Sequence, residues 1–152
     1  MKTTAHTTKE LTFSQCKMIY NFAEEISEDA KEIIEKIVNE ETDFNIGDYR
    51  FIHTDFIDSI QVEELESDPY VLGCFNDWFI ADNTDLSIDI IQALQSAEKY
   101  EALGKHIIDN NLTSTLQEEY SRLDGYGHHF SSYDGETLED LLSLGFYAFR
   151  TN

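Results

Sequence analysis

From Thr12 onward the apolar residues Cys16, Ile19, Ala23, Ile26, Ala30, Ile33, Ile34 and Ile37 recur at three- and four-residue spacing, the period of one helix face. Thr12 and Gln15 make a capping box, so the pattern predicts an amphipathic helix to about Glu41. Ser27 followed by Glu28 and Asp29 resembles an N-cap with an acidic first turn, which leaves open a break into two helices at that point. Before Leu11 nothing apolar is placed to pack, and residues 1–11 are expected to form a flexible tail ahead of a single domain at 12–152.

After Gly47 the period changes. Tyr49 to His53 is an aromatic and β-branched run that predicts a strand, and Thr54 is placed to cap a helix over about Asp55 to Glu66. Asp68-Pro69 pairs a capping acid with a proline suited to a first turn, predicting a helix to about Ala81. Ser87 opens another, Ile88 to about Asp109, with a possible interruption near Ser96 and an end at Asn110-Asn111; Thr115 to Leu123 makes a shorter one stopped by Gly125. The last segment is rich in Gly, Tyr and Phe, and His128 to Tyr133 and Phe146 to Arg150 are expected as strands pairing with Tyr49 to His53, with a helix at Thr137 to Leu144 between them. The expected fold is α+β, mainly helical, with a small antiparallel sheet.

Composition supports a folded chain: of 152 residues 41% are hydrophobic and 12% aromatic, against 27% charged, too aromatic for a disordered acidic segment. No apolar run approaches the roughly 20 residues of a membrane span, and Met1 to Glu10 lacks the apolar stretch of a signal peptide, so a cytoplasmic location and no membrane partner are expected. Cys16 and Cys74 sit among apolar neighbours without C-x-x-C spacing and read as reduced core thiols. The Asn111-Leu112-Thr113 glycosylation sequon carries no weight without a secretory route.

Charge alters the picture most. Thirty-one acids against ten bases give a formal net charge of −21, whereas solubility asks for a magnitude of only about 2 to 8 in a small domain. Residues 21–101 hold 22 of the acids with four bases, Lys31, Lys36, Arg50 and Lys99. Residues 24–41 alone carry a net −6. On one helix of about 27 Å that would be one net charge per ~4.5 Å, near the ~3.4 Å phosphate spacing of a DNA strand. The candidate residues on this stretch are Glu24, Glu25, Glu28, Asp29, Glu32 and Glu35. A second acidic band is available from Asp55, Asp58, Glu63, Glu64, Glu66, Asp68, Asp77, Asp82, Asp85 and Asp89. An ordinary solvated surface and a halophilic source are the competing explanations of such charge.

Motifs for catalysis are missing: there is no dinucleotide or nucleotide-phosphate glycine loop, no nucleophile elbow and no H-E-x-x-H. Asp82 to Ala93 begins like a calcium loop but has Leu86 at a ligand position, no turn glycine and no closing Glu. The acids at 24–35 lack the Glu-x-x-His pairs of a di-iron bundle. His128-His129, with His53 and Asp55 or Asp134, is the best metal or acid/base constellation, although neighbours on a strand point to opposite faces. We expect no catalytic residue, metal or cofactor.

The size, the charge and the middle of the chain, including DPYVLGCFNDWFIAD (68–82) and AEKYEALGKHI (97–107), resemble the acidic DNA-mimic proteins of phages and plasmids, among them the ArdA-type antirestriction proteins and several anti-CRISPR proteins. That resemblance implies a non-enzymatic inhibitor whose partner is the basic DNA-binding surface of a host defence protein, a restriction enzyme or a CRISPR effector, with no direct contact to nucleic acid. An acidic adaptor or chaperone for a basic DNA-binding protein, and a small metal-dependent enzyme using His53, His128 and His129, are the alternatives. Whether the chain forms a homodimer stays open.

Overall fold

The computed structural model describes residues 10–152, and residues 1–9 of the expected tail lie outside that range. Leu11 already packs on a hydrophobic core. The described chain is mainly helical with a three-stranded antiparallel sheet, the α+β class expected, and it divides into two compact units: residues 10–57 with 126–152, and residues 58–125. No helix among the described residues is long and apolar enough to cross a membrane.

In the first unit, α1 (Phe13–Ile26) starts at the predicted capping box, with the Gln15 amide donating to Thr12 Oγ1 at 3.1 Å and the Thr12 amide to Gln15 Oε1 at 2.9 Å. The helix does not continue to Glu41 but breaks at Ser27, the alternative the sequence left open. Ser27 turns left-handed at φ 57° and the Glu28 amide closes back on the Ala23 carbonyl at 3.0 Å, a capping pattern that satisfies the last carbonyls. Two residues later Asp29 caps α2 (Ala30–Val38), accepting from the Lys31 amide at 2.9 Å. The break lets Ile19, Phe22 and Ala23 of α1 and Ala30, Ile33 and Ile37 of α2 enter one core.

That core is closed by a sheet ordered β1 (Asp43–Ile46), β2 (Tyr49–His53), β3 (Phe146–Arg150). Phe44 lies opposite Phe51, and Phe51 opposite Ala148; the Phe44 and Phe51 rings stack at 5.1 Å. Pairing of β2 with β3 follows the sequence expectation, whereas β1 was not anticipated, since its pattern is only Phe44 and Ile46 in four residues. The hairpin turn at Gly47-Asp48 fixes its register. Gly47 has φ 56°, and the Glu28 carboxylate occupies the space a Cβ would need while accepting from the Asp48 amide at 3.1 Å.

The expected strand at His128 to Tyr133 is instead a short helix, α9 (Gly127–Phe130), with the Phe130 amide bonded to the Tyr126 carbonyl and the Ser131 amide to the Gly127 carbonyl. Its Phe130 packs on Phe149, on the sheet face opposite Phe51 and Ala148. Leu138 takes the pairing position beside Ala148, so the helix expected at Thr137 to Leu144 shrinks to one 3-10 turn at Leu142–Leu144.

The second unit holds α3 (Ile57–Glu66, from Asp58 on), α4 (Pro69–Gly73), α5 (Asp77–Asn83), α6 (Ile88–Ser96), α7 (Tyr100–Asp109) and α8 (Thr113–Asp124) around Leu65, Leu72, Ile80, Ile91, Leu103, Ile107 and Leu116. The helix expected from Pro69 to Ala81 is two, and Asp68 makes no side-chain cap. Gln95 Nε2 captures the freed Gly73 and Phe75 carbonyls at 2.8 and 2.9 Å, and Asn76 recaps the chain by accepting from the Phe79 amide. The interruption foreseen near Ser96 is real, with Glu98 left-handed at φ 59°, and the stop at Asn110-Asn111 has Asn111 at φ 58°. Gly73 and Gly104 let α4 and α7 meet backbone to backbone: a Cβ on Gly104 would overlap the Pro69 carbonyl, and one on Gly73 the Tyr100 carbonyl.

Candidate partner-binding surface

Both units are strongly acidic on their own. Residues 1–57 with 126–152 carry 16 acids and 7 bases, a net −9, and residues 58–125 carry 15 acids and 3 bases, a net −12.

In the first unit the six acids predicted on one helix fall on α1, the link and α2, so the straight 27 Å line of charge does not exist; α2 spans nine residues, or about 13 Å. Their roles separate. Glu28 is half-buried and holds the hairpin turn, and Asp29 is the α2 cap. Glu24, Glu25, Glu32 and Glu35 are exposed, away from the buried Ile19, Phe22, Ala23, Ile33 and Ile37. Glu32, in the first turn of α2, complements the positive end of the helix dipole. Glu24 and Glu25 lie in the last turn of α1, where the dipole is negative and each carboxylate costs about 0.3–1 kcal/mol.

Of the second band, Asp55 belongs to the first unit and its side chain is 77% exposed. The others lie in the second unit, spread over α3, α5, α6 and their links. Asp58 accepts from Gln117 Nε2 at 2.8 Å, and Asp77 from Gln92 Nε2 at 3.1 Å. Glu63, Asp68, Asp82, Asp85 and Asp89 are exposed, while Glu64, Glu66 and Asp77 are half-buried. Asp82, Asp85 and Asp89 bracket the α5–α6 link, with Asp89 in the first turn of α6. Lysine and arginine neutralise other acids: Lys36 pairs with Glu41, Arg50 with Asp43 at 2.7 Å, Lys105 with Glu101 and Arg122 with Glu119. Glu24, Glu25, Glu32 and Glu35 are in none of those four pairs, while Asp55 Oδ2 lies 3.8 Å from His53 Nδ1.

The histidines are distributed otherwise than the strand pattern implied. His128 is exposed and His129 half-buried on α9, where the His129 ring meets Phe130 edge-on at 4.7 Å. His53, on β2, has Nδ1 engaged by the Asp55 amide at 3.1 Å. Among the described residues no group of three or more His, Cys, Asp or Glu is arranged to hold a metal ion. Cys16 is partly buried, but Cys74 is exposed where α4 ends, because that helix stops at Gly73 and turns; it is not a core thiol.

One constellation escaped the sequence reading. Ile37, Glu40, Glu41, Thr42, His53, Asp55, Phe56 and Phe146, all of the first unit, line a cavity of about 340 Å³. Its residues come from three separate stretches of chain. The legible signal was the Glu40-Glu41 pair just past the last apolar residue of α2. Comparison with protein-family models, curated proteins and solved structures finds no match.

Proposed function

We propose that the protein is a non-enzymatic inhibitor that occupies the DNA-binding surface of a host defence nuclease, a restriction enzyme or a CRISPR effector, in the cytoplasm of the host cell. The observation that carries this reading is the set of exposed carboxylates, Glu24, Glu25, Glu32 and Glu35 foremost, held on capped helices outside the Lys and Arg ion pairs. Fixed carboxylates draw on the attraction that phosphates feel in a basic channel, and preorganisation reduces the ordering entropy lost on binding. Glu24 and Glu25 add a second line of support. They oppose the dipole of their own helix, so folding stability does not explain their position, whereas attraction to a basic partner does.

Competition with DNA tests the reading. A nuclease retained on the immobilised protein at low salt is expected to be released by duplex DNA, and to be retained progressively less as salt rises. Retention that duplex DNA leaves untouched would place the partner's contact outside its DNA site and reject mimicry in favour of an adaptor role.

A further inference from the structure

The one tryptophan of the chain, Trp78, stands in the first turn of α5 and is 56% exposed. Ile80, two residues on and so across the helix, is buried in the core of the second unit, and Phe79 packs against the same core. The indole is therefore on the outer side of α5. A single exposed apolar side chain is ordinary on a protein surface. The surroundings of this one are not. Residues 58–98 hold ten acids and neither lysine nor arginine. Asp82 follows Trp78 by four residues, which puts both on one face of α5, and Asp82 is exposed. Gln92 Nε2 donates to the Asp77 carboxylate at 3.1 Å and ties α6 to the start of α5; exposed Asp89, one turn ahead of Gln92, lies on that side of α6.

The chain that carries these acids is pinned. In the α5–α6 link the Thr84 hydroxyl donates to the Ile80 carbonyl at 2.7 Å and accepts from the Leu86 amide at 3.2 Å, while Asn83 Nδ2 donates to the Phe79 carbonyl at 2.9 Å. Ser87 caps α6 by accepting from the Asp89 amide at 3.2 Å, and Leu86 packs on the core. Asp82, Asp85 and Asp89 thus project from a backbone already ordered, so little ordering entropy opposes a contact made through them.

Charge selects the occupant. The second unit carries a net −12, so a second copy of this chain, a nucleic acid or an anionic bilayer meets like charge there, whereas a basic protein surface meets its opposite. Among basic side chains the ring favours arginine: a guanidinium is planar and weakly hydrated, stacks on an indole and still presents its edge to carboxylates, while the ammonium of lysine holds its water more strongly. Tryptophan and arginine are also the residue types that dominate binding energy at protein interfaces.

We propose that the outer side of α5 and the α5–α6 link form a docking surface for an arginine-bearing patch of a basic protein, with Trp78 as the aromatic anchor and Asp82, Asp85 and Asp89 as its charges. The identity of the partner rests on the inhibitor reading, but the surface is testable without that partner. Because Trp78 is the only indole, its emission in the whole, unlabelled protein reports on this surface alone. The protein is titrated with an acetylated peptide of alternating glycine and arginine and, in parallel, with the same peptide carrying neutral citrulline. A saturable change in Trp78 emission is expected with the arginine peptide at low salt, with citrulline at least about fivefold weaker. Trp78→Ala, followed by calorimetry, is expected to weaken arginine-peptide binding by about two- to fivefold, the worth of an exposed cation–π contact. Joint Asp82→Asn, Asp85→Asn and Asp89→Asn is expected to weaken it at least about threefold more than joint Glu24→Gln, Glu25→Gln and Glu32→Gln, which removes equal charge from the first unit. No saturable emission change, equal binding of the citrulline peptide, or a Trp78→Ala variant without effect together with equal losses from the two charge sets would overturn the proposal. Emission that shifts with protein concentration alone would assign the surface to a second copy and overturn it as well. Peptide binding located in this way, combined with a nuclease that duplex DNA does not displace, would reject DNA mimicry and leave the surface standing; displacement of the nuclease without peptide binding would do the reverse.

Discussion

Residues of one type serve different ends in this protein, and the acids between 24 and 35 show it. Glu28 accepts from the Asp48 amide across twenty residues of chain and fills the space above Gly47, so it ties the link after α1 to the hairpin turn. Glu28→Ala is expected to lower stability by about 1.5 kcal/mol, the scale of a hydrogen bond to a charged group, as read by chemical denaturation. Glu24→Ala, measured alongside, is expected to be neutral or slightly stabilising, because it removes a carboxylate from a helix C-terminus. Equal losses from both would mean that their environments do not differ as described. Sequence spacing could not separate the two, since both fall in the same acidic run and the partner of Glu28 lies on a hairpin whose first strand was itself unforeseen.

Elements were legible wherever a local signal met no competitor. The Thr12–Gln15 box, the β2–β3 pairing, the interruption near Ser96 and the stop at Gly125 all appear where the pattern placed them. Failures arose where a distant group supplied what the local sequence did not encode. Gln95 reaches back to the Gly73 and Phe75 carbonyls and thereby divides the helix expected from Pro69 to Ala81. β1 occupies the edge of β2 expected for His128 to Tyr133, and that segment coils into α9 instead. Backbone contact between α4 and α7 is another such tertiary term. Gly104→Ala forces a methyl group into the Pro69 carbonyl and is expected to cost about 2–3 kcal/mol, measured as a shift of the denaturation midpoint at unchanged slope. A loss within a few tenths of a kcal/mol would show that the two helices separate freely.

At the scale of the whole molecule, charge is the property that the fold does not require. A net −12 on the second unit and −9 on the first exceed what solubility asks, and self-repulsion opposes compaction in each. The total was plain in the sequence; its arrangement was not. The break at Ser27 replaces one straight charged helix by two shorter ones, and it removes Glu28 and Asp29 from the set free to meet a partner. What remains is more specific: Glu24, Glu25, Glu32 and Glu35 are exposed and bear no hairpin or capping duty, and among them only Glu32, in the first turn of α2, gives up a favourable dipole interaction when its charge is reversed. The most direct test is therefore the simultaneous replacement of these four by lysine, assayed as protection of DNA from the partner nuclease, with circular dichroism confirming an intact fold. Loss of protection by tenfold or more is the predicted result; protection equal to that of the unaltered protein would contradict inhibition through carboxylates on these helices.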